Sequence, residues 1–208
     1  MESQTFNQTQ DTKKDRTMTI TCTPTLIWYG TNPNNIGATI AFTETASDPD
    51  MPGAVGAQGN LNLSALPKKS KYNDNVDITF VLDPSQLKYA DGTPITGNNI
   101  LRWANANEGP TYVDGNGNTQ HLGYAWFCHI NSLVPLNYTT SPPIAVSDMS
   151  WVRSSDTQLI LDDDTPLGSP VYAFMLAFVL PEFSNYYISV DPLIGTKNTR
   201  SDSFMLQS

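Results

Sequence analysis

Between Trp103 and His121 the chain gathers the kinds of side chain from which a small polar-ligand site is usually built. Trp103 and Tyr112 supply aromatic faces, while Asn105, Asn107, Glu108, Asp114, Asn116, Asn118 and His121 supply hydrogen-bonding groups beside them. Aromatic rings stack on sugar rings, and a few convergent polar groups fix the orientation of such a ligand. Trp103, Tyr112, Asp114, Asn116, Asn118 and His121 are therefore the candidate ligand-binding residues, with glycans as the ligand class. Each has an ordinary alternative: core filling for the tryptophan, a solvated loop for the rest.

Asp114, Asn116 and Asn118 place oxygen-bearing side chains at alternate positions, as the start of a calcium loop does. The sixth position is Thr119 rather than glycine and the twelfth is Ala125 rather than Glu, which excludes an EF-hand; an Asn-Gly hairpin turn explains the stretch without metal. Asp162, Asp163 and Asp164 are the second candidate for calcium, against the reading of a solvated strand end that discourages edge pairing. Carboxylates brought into one cleft could also serve a hydrolase on a jelly roll. His121 and His129 are the only two histidines, too far apart along one strand to share a metal. The chain holds no His-Glu-x-x-His, Cys-x-x-Cys, Gly-x-Ser-x-Gly or phosphate-binding Gly-x-x-x-x-Gly-Lys pattern. The expectation is a non-enzymatic protein without a resident cofactor, calcium being the one ion its residues suggest.

Eleven Lys and Arg against twenty Asp and Glu give a formal charge of −9, which repels phosphate backbones and anionic headgroups alike. Nucleic acid and membrane insertion are thus poor partner expectations. Only 15% of residues are charged, and much of the polarity comes from 23 Thr and 18 Asn, which favour strands and turns. Met1 to Arg16 is polar, without the apolar stretch of a secretory signal, so a flexible N-terminal segment over 1–16 and a cytoplasmic location are expected. Residues 17–208 are expected to form one domain, a length that buries about 70% of its unfolded surface.

The elements that must hold these groups are strands. Met18, Ile20, Cys22, Leu26 and Trp28 alternate with threonines from Thr17 to Trp28, and Pro24 in the inward row predicts an edge or a bulge there. A hairpin through Asn32-Pro33-Asn34-Asn35 leads to a second alternating run, Ile36 to Phe42. Val76, Ile78, Phe80 and Leu82 repeat the period, followed by a single helical turn in 84–89; Asn99 to Trp103 is a short strand. Leu122 to Ile130 carries Leu122, Tyr124, Trp126, Cys128 and Ile130 on one face. Ala145 to Val152, Thr157 to Leu161 and Tyr186 to Val190 are further strands, and Phe204 to Leu206 an edge strand or docked tail. Val171 to Leu180 is continuously apolar between prolines, the pattern of a central strand buried on both faces. Cys22 and Cys128 both fall on apolar faces, as a disulfide across the core or as two buried thiols. Roughly nine to eleven short strands with Gly, Pro, Asn and Asp between them predict an all-β, antiparallel two-sheet β-sandwich of jelly-roll or Ig-like type.

Gly59-Asn60-Leu61-Asn62-Leu63-Ser64-Ala65, Ile100-Leu101-Arg102-Trp103, and Tyr172-Ala173-Phe174 leading to Ser189-Val190-Asp191-Pro192-Leu193-Ile194 resemble, in order and rough spacing, the bacterial inclusion body proteins of the AidA/PixA type. Val190 stands where that family's pattern has Trp, and the segment from Pro67 to Asn98 is longer. The resemblance implies an abundant cytoplasmic β protein that self-associates into inclusions and is host-associated in some bacteria. It carries no catalytic residues with it. A lectin-like activity fits the Asn, Asp and aromatic content, and a self-assembling structural protein without a small ligand is the alternative.

Overall fold

A computed structural model of the chain describes residues 13–29, 36–63, 66, 69–129, 143–164, 172–183, 185–190 and 193–195. Two main sheets organise it. The first has five strands in the order β2-β1-β4-β10-β9, formed by β1 (Lys14–Trp28), β2 (Ile36–Asp48), β4 (Tyr72–Leu82), β9 (Met149–Arg153) and β10 (Gln158–Asp163). The second has six and is centred on β11 (Tyr172–Leu180). Leu176 of β11 faces Val190 of β12 (Tyr186–Val190) on one side and Ala125 of β8 (Ala125–His129) on the other. Further along β11, β13 (Leu193–Gly195) continues beyond β12, and β5 (Arg102–Trp103) lies beyond β8; β3 (Leu61–Asn62) pairs with β13. A separate hairpin joins β6 (Thr111–Val113) to β7 (Thr119–His121).

The all-β expectation is met, with strands throughout and only two short 3-10 turns, Pro84–Gln86 and Pro181–Phe183, among the described residues. Thirteen strands rather than nine to eleven are present in that set, because β6, β7 and β13 are only three residues long and too short to show a period. Pairing is not uniformly antiparallel: β1 runs parallel to β4, and β3 parallel to β13. Alternation along one strand reports its faces and is silent on the direction of its neighbour, which explains the miss. The first strand starts at Lys14, inside the segment expected to be flexible, and Arg16 is already buried. Residues 1–12, the turn through 32–35, Ile130 and the 204–206 tail lie outside the described set.

The two sheets meet on one hydrophobic cluster. Inward rows Met18, Ile20, Cys22 of β1 and Val76, Ile78, Phe80, Leu82 of β4 pack with Phe174, Leu176, Phe178 and Leu180 of β11. Phe80 and Trp151 from the first sheet close on Phe174 and Phe127 from the second, with ring centroids 5.5 to 6.0 Å apart across Trp151–Phe174, Phe127–Trp151 and Phe80–Phe174. The other row of β11, Ala173, Met175, Ala177 and Val179, joins Ala104, Leu122, Trp126 and Cys128 in a second cluster on the far side of the same sheet. Continuous apolarity in β11 thus has its cause: both faces are buried.

Pro24 lies past the end of the β1–β4 pairing, which stops at Cys22–Leu82, so β1 is there paired only with β2. The missing N–H of proline costs nothing in that stretch. The bulge of the hairpin falls elsewhere, between Thr19 and Ile20. Cys22 and Cys128 are buried thiols in different clusters, not partners across one core. Burial pushes the Cys22 thiol well above its ordinary value.

Candidate ligand-binding site

Glycine and one ion pair shape the loop from Ala104 to Gly123, which lies over the second cluster. Arg102 donates through Nη1 to Glu108 Oε2 (2.6 Å) and through Nη2 to Glu108 Oε1 (3.0 Å), a two-point contact at a largely buried position. Glu108 also accepts from the backbone N–H of Asn105, at 2.8 Å, which closes the turn 105–108. The Arg102 guanidinium first, and that backbone donor further, hold the Glu108 carboxyl at about 2 against an ordinary 4.5. Gly109 and Gly123 then cross closely: Gly109 has φ +83°, and a Cβ there would lie 2.8 Å from the carbonyl oxygen of Gly123. Only glycine permits that approach.

From this frame the β6–β7 hairpin carries Tyr112 inward against the second cluster and His121 to the rim. Tyr112 and His121 both line a cavity of about 370 Å³ whose other walls include Trp126 and Phe127 of β8, Ile144, and Ser150 and Trp151 of β9. Ile144 reaches this wall through a bridge to Phe127. The Nδ1 of His121 is 3.4 Å from the carbonyl oxygen of Gly109, the geometry of a donor to that oxygen. A neutral ring in that tautomer presents Nε2 as an acceptor. The cavity therefore brings tryptophan, phenylalanine and tyrosine rings together with an imidazole, which suits a small hydroxylated ligand. Among its described lining residues no carboxylate accompanies His121.

The other sequence candidates lie apart from it. Trp103 is 1% exposed and fills the main core, opposite Phe178 in the β5–β11 pairing. Asp114, Asn116 and Asn118 form the exposed tip of the hairpin, and Asp114 is occupied in holding it. Its carboxylate accepts from the backbone N–H groups of Asn116 (2.9 Å) and Asn118 (2.8 Å), and from Gln120 Nε2 (3.1 Å). Those donors, Asn118 foremost, hold Asp114 below the usual carboxylate range. This is a turn stabilised by an Asx contact.

Strand alternation separates Asp162, Asp163 and Asp164. Asp163 is fully buried on the inner face of β10, in line with Leu159 and Leu161 and level with Arg16 across Val76. Asp162 belongs to the opposite face, paired with Asp77. Partial burial and then the neighbouring carboxylates, Asp164 the foremost for Asp162 and Asp15 for Asp77, push both groups upward. Among the described residues no group of three or more His, Cys, Asp or Glu side chains is placed to hold a metal ion.

Sequence reasoning missed Ile144 and Ser150, which carry no chemical signal of their own, and did not single out Trp126 and Trp151 as ligand residues. The signal for Trp126 was available: an aromatic in the same inward row as Leu122 and Cys128, next to the loop that holds Tyr112. Among the described residues no helix is long and apolar enough to cross a membrane. Compared with family models and with curated proteins, the chain gives no match.

Proposed function

We propose that this chain is a non-enzymatic, inclusion-body-type protein, a two-sheet β-sandwich that binds carbohydrate in the cavity between Tyr112, His121, Trp126 and Trp151. The cavity carries the reading: Tyr112, Trp126 and Trp151 stand at its walls beside the His121 imidazole, the combination of aromatic ring and polar group that a sugar requires. The sequence resemblance to the AidA/PixA type supplies the setting, a cytoplasmic, abundant protein that is host-associated in some bacteria. The described lining of this site holds no carboxylate, and the reading places no calcium in it.

A broad glycan panel, run with calcium and with a chelator, tests the reading. Binding that survives chelation and falls at least tenfold in both His121→Ala and Trp126→Phe is expected. A blank panel, or binding indifferent to both substitutions, removes the lectin assignment. Turnover of a glycan would replace it with the hydrolase alternative. The second reading, a self-assembling structural protein, is favoured by one observation: β2 is thirteen residues long and forms an edge of its sheet.

A further inference from the structure

Edge strands ordinarily protect their open row of backbone donors and acceptors by being short, or with lysine, proline or a bulge. The two edges of the five-stranded sheet differ in this. On one edge, β9 is five residues long and ends in Arg153. On the other, β2 is thirteen residues long, against roughly 5–6 for an ordinary strand, and among the described residues no strand pairs with its outer side. From Ile36 to Thr43 it has no charged residue and no proline. Its one irregularity lies further on, where Thr19 and Ile20 face Ala46 and Glu44 and Thr45 is left over. The inward row of the unbroken run, Ala38, Ile40 and Phe42, packs against the main core yet is only partly buried. Among the described residues this row is only partly covered.

We propose that β2 pairs antiparallel with β2 of a second copy of this chain, about a two-fold axis through Ile40, so that the two five-stranded sheets become one continuous sheet. The register follows from the bulge, since a pairing centred on Ile40 uses the regular run from Ile36 to Glu44 and stops before Thr45. It sets Ile40 against Ile40 and Ala38 against Phe42 on the inner face, and Thr39 against Ala41 on the outer. Each copy thus completes the half-covered apolar row of the other, which any different partner would have to match independently. Charge agrees as well: Glu44 meets Ile36 instead of its own copy, and Asp48 falls outside the pairing, so two acidic chains place no like charges opposite one another. The contact leaves the cavity accessible, because the cavity borders β9 at the other edge of the sheet. The proposal deepens the self-assembly reading and is independent of carbohydrate binding.

Sedimentation of the full chain over a wide concentration range tests it, beside a variant carrying Thr39→Lys and Ala41→Lys, both exposed positions. The wild type is expected to dimerise, and the double variant to dimerise at least tenfold more weakly with an unchanged circular dichroism spectrum. Ile40→Cys supplies a second measurement: directly opposed residues in an antiparallel pair lie within disulfide reach, and the buried Cys22 and Cys128 do not compete. Mild oxidation is expected to give a covalent dimer, absent when the two lysines are added. A wild type that remains monomeric, a dimer insensitive to the lysines, or an Ile40→Cys variant that does not cross-link overturns the proposal. Large assemblies that form equally well in the lysine variant overturn this edge while leaving self-assembly itself standing, so the two failures are distinguishable.

Discussion

Phe174 and Met175 are neighbours on one strand, yet they enter cores that are closed in different ways. Phe174 is buried between two sheets, with Phe80 and Trp151 against its ring. Met175 is as deeply buried, but one wall of its cluster is the loop from Ala104 to Gly123, held down by Arg102–Glu108 and by the Gly109–Gly123 crossing. A core closed by sheets distributes its stability over many strand pairs. One closed by a loop concentrates it in a few contacts, and here those same contacts position Tyr112 and His121 at the cavity.

Removing the ring at Phe174 gives the largest effect. Phe174→Ala is expected to cost about 3–5 kcal/mol of global stability by chemical denaturation. Met175→Ala should cost about 2–3 kcal/mol, and much of that loss should be shared with the loop. In the Met175→Ala, Glu108→Gln double variant the two losses are then expected to add incompletely, whereas Phe174→Ala with Glu108→Gln adds in full. Full additivity in both pairs would mean that the loop does not seal the second cluster.

Breaking the latch itself ranks next. Arg102→Met leaves Glu108 largely buried without its two-point partner and should cost about 2–3 kcal/mol. Amide exchange should rise over 104–123 and stay slow in β4 and β10. The pH dependence has a defined sign. Because the folded state holds Glu108 at about 2 and the ordinary value is 4.5, its stabilisation is complete above pH 4.5 and is lost as pH falls towards 2. At most about 3 kcal/mol is at stake. Subtracting the Glu108→Gln profile from that of the wild type should isolate this loss; a flat difference would remove the latch from the account.

How far these two regions could be read in advance follows from the same contrast. The uninterrupted apolar run in β11 announced a strand buried on both faces, and the alternation in β1 and β4 named the inward rows, because side-chain period is a local property of a strand. The parallel β1–β4 contact is set by a distant part of the chain and leaves no local mark. The candidate site was legible in half: Tyr112 and His121 share a cavity, since a hairpin joins them, but Trp103 goes to the core two residues before the loop turns. Asp114 was chosen for its oxygens, and they are engaged by the amides of its own turn. The Arg102–Glu108 pair joins Glu108, noted for its polarity, to Arg102, noted only within a family pattern; their convergence depends on a turn that no periodicity predicts.

Gly109→Ala addresses the loop without touching an ionisable group. The new Cβ would both adopt a left-handed conformation, a cost of about 1–2 kcal/mol, and meet a backbone oxygen that has little freedom to retreat. A loss of about 2 kcal/mol is expected, with His121 displaced from the Gly109 carbonyl and carbohydrate binding weakened. Gly117→Ala, at a similar φ of +83° but with open space around it, should show the conformational cost alone. Equal losses in the two variants would mean that the crossing with Gly123 does not matter.

The smallest effect concerns the outer face of the first sheet, the counterpart of the apolar interior on β10. Asp162 faces Asp77 there, with Asp164 and Asp15 nearby, and burial together with these carboxylates raises its proton affinity above the ordinary 3.8. A raised folded value means that the charged form is disfavoured in the fold. The penalty is present in full above the folded value and disappears as pH falls through it towards 3.8, opposite in sign to Glu108. Asp162→Asn should therefore stabilise the protein at neutral pH by about 0.5 kcal/mol, discounted for partial exposure, and the two proteins should converge in acid. Added calcium distinguishes repulsion from recruitment: if the carboxylates merely repel, millimolar calcium shifts the wild-type melting temperature no more than that of Asp162→Asn. A selective rise in the wild type would make this face a cation site and reverse the contrast with the loop-sealed cavity, whose described lining contains no carboxylate.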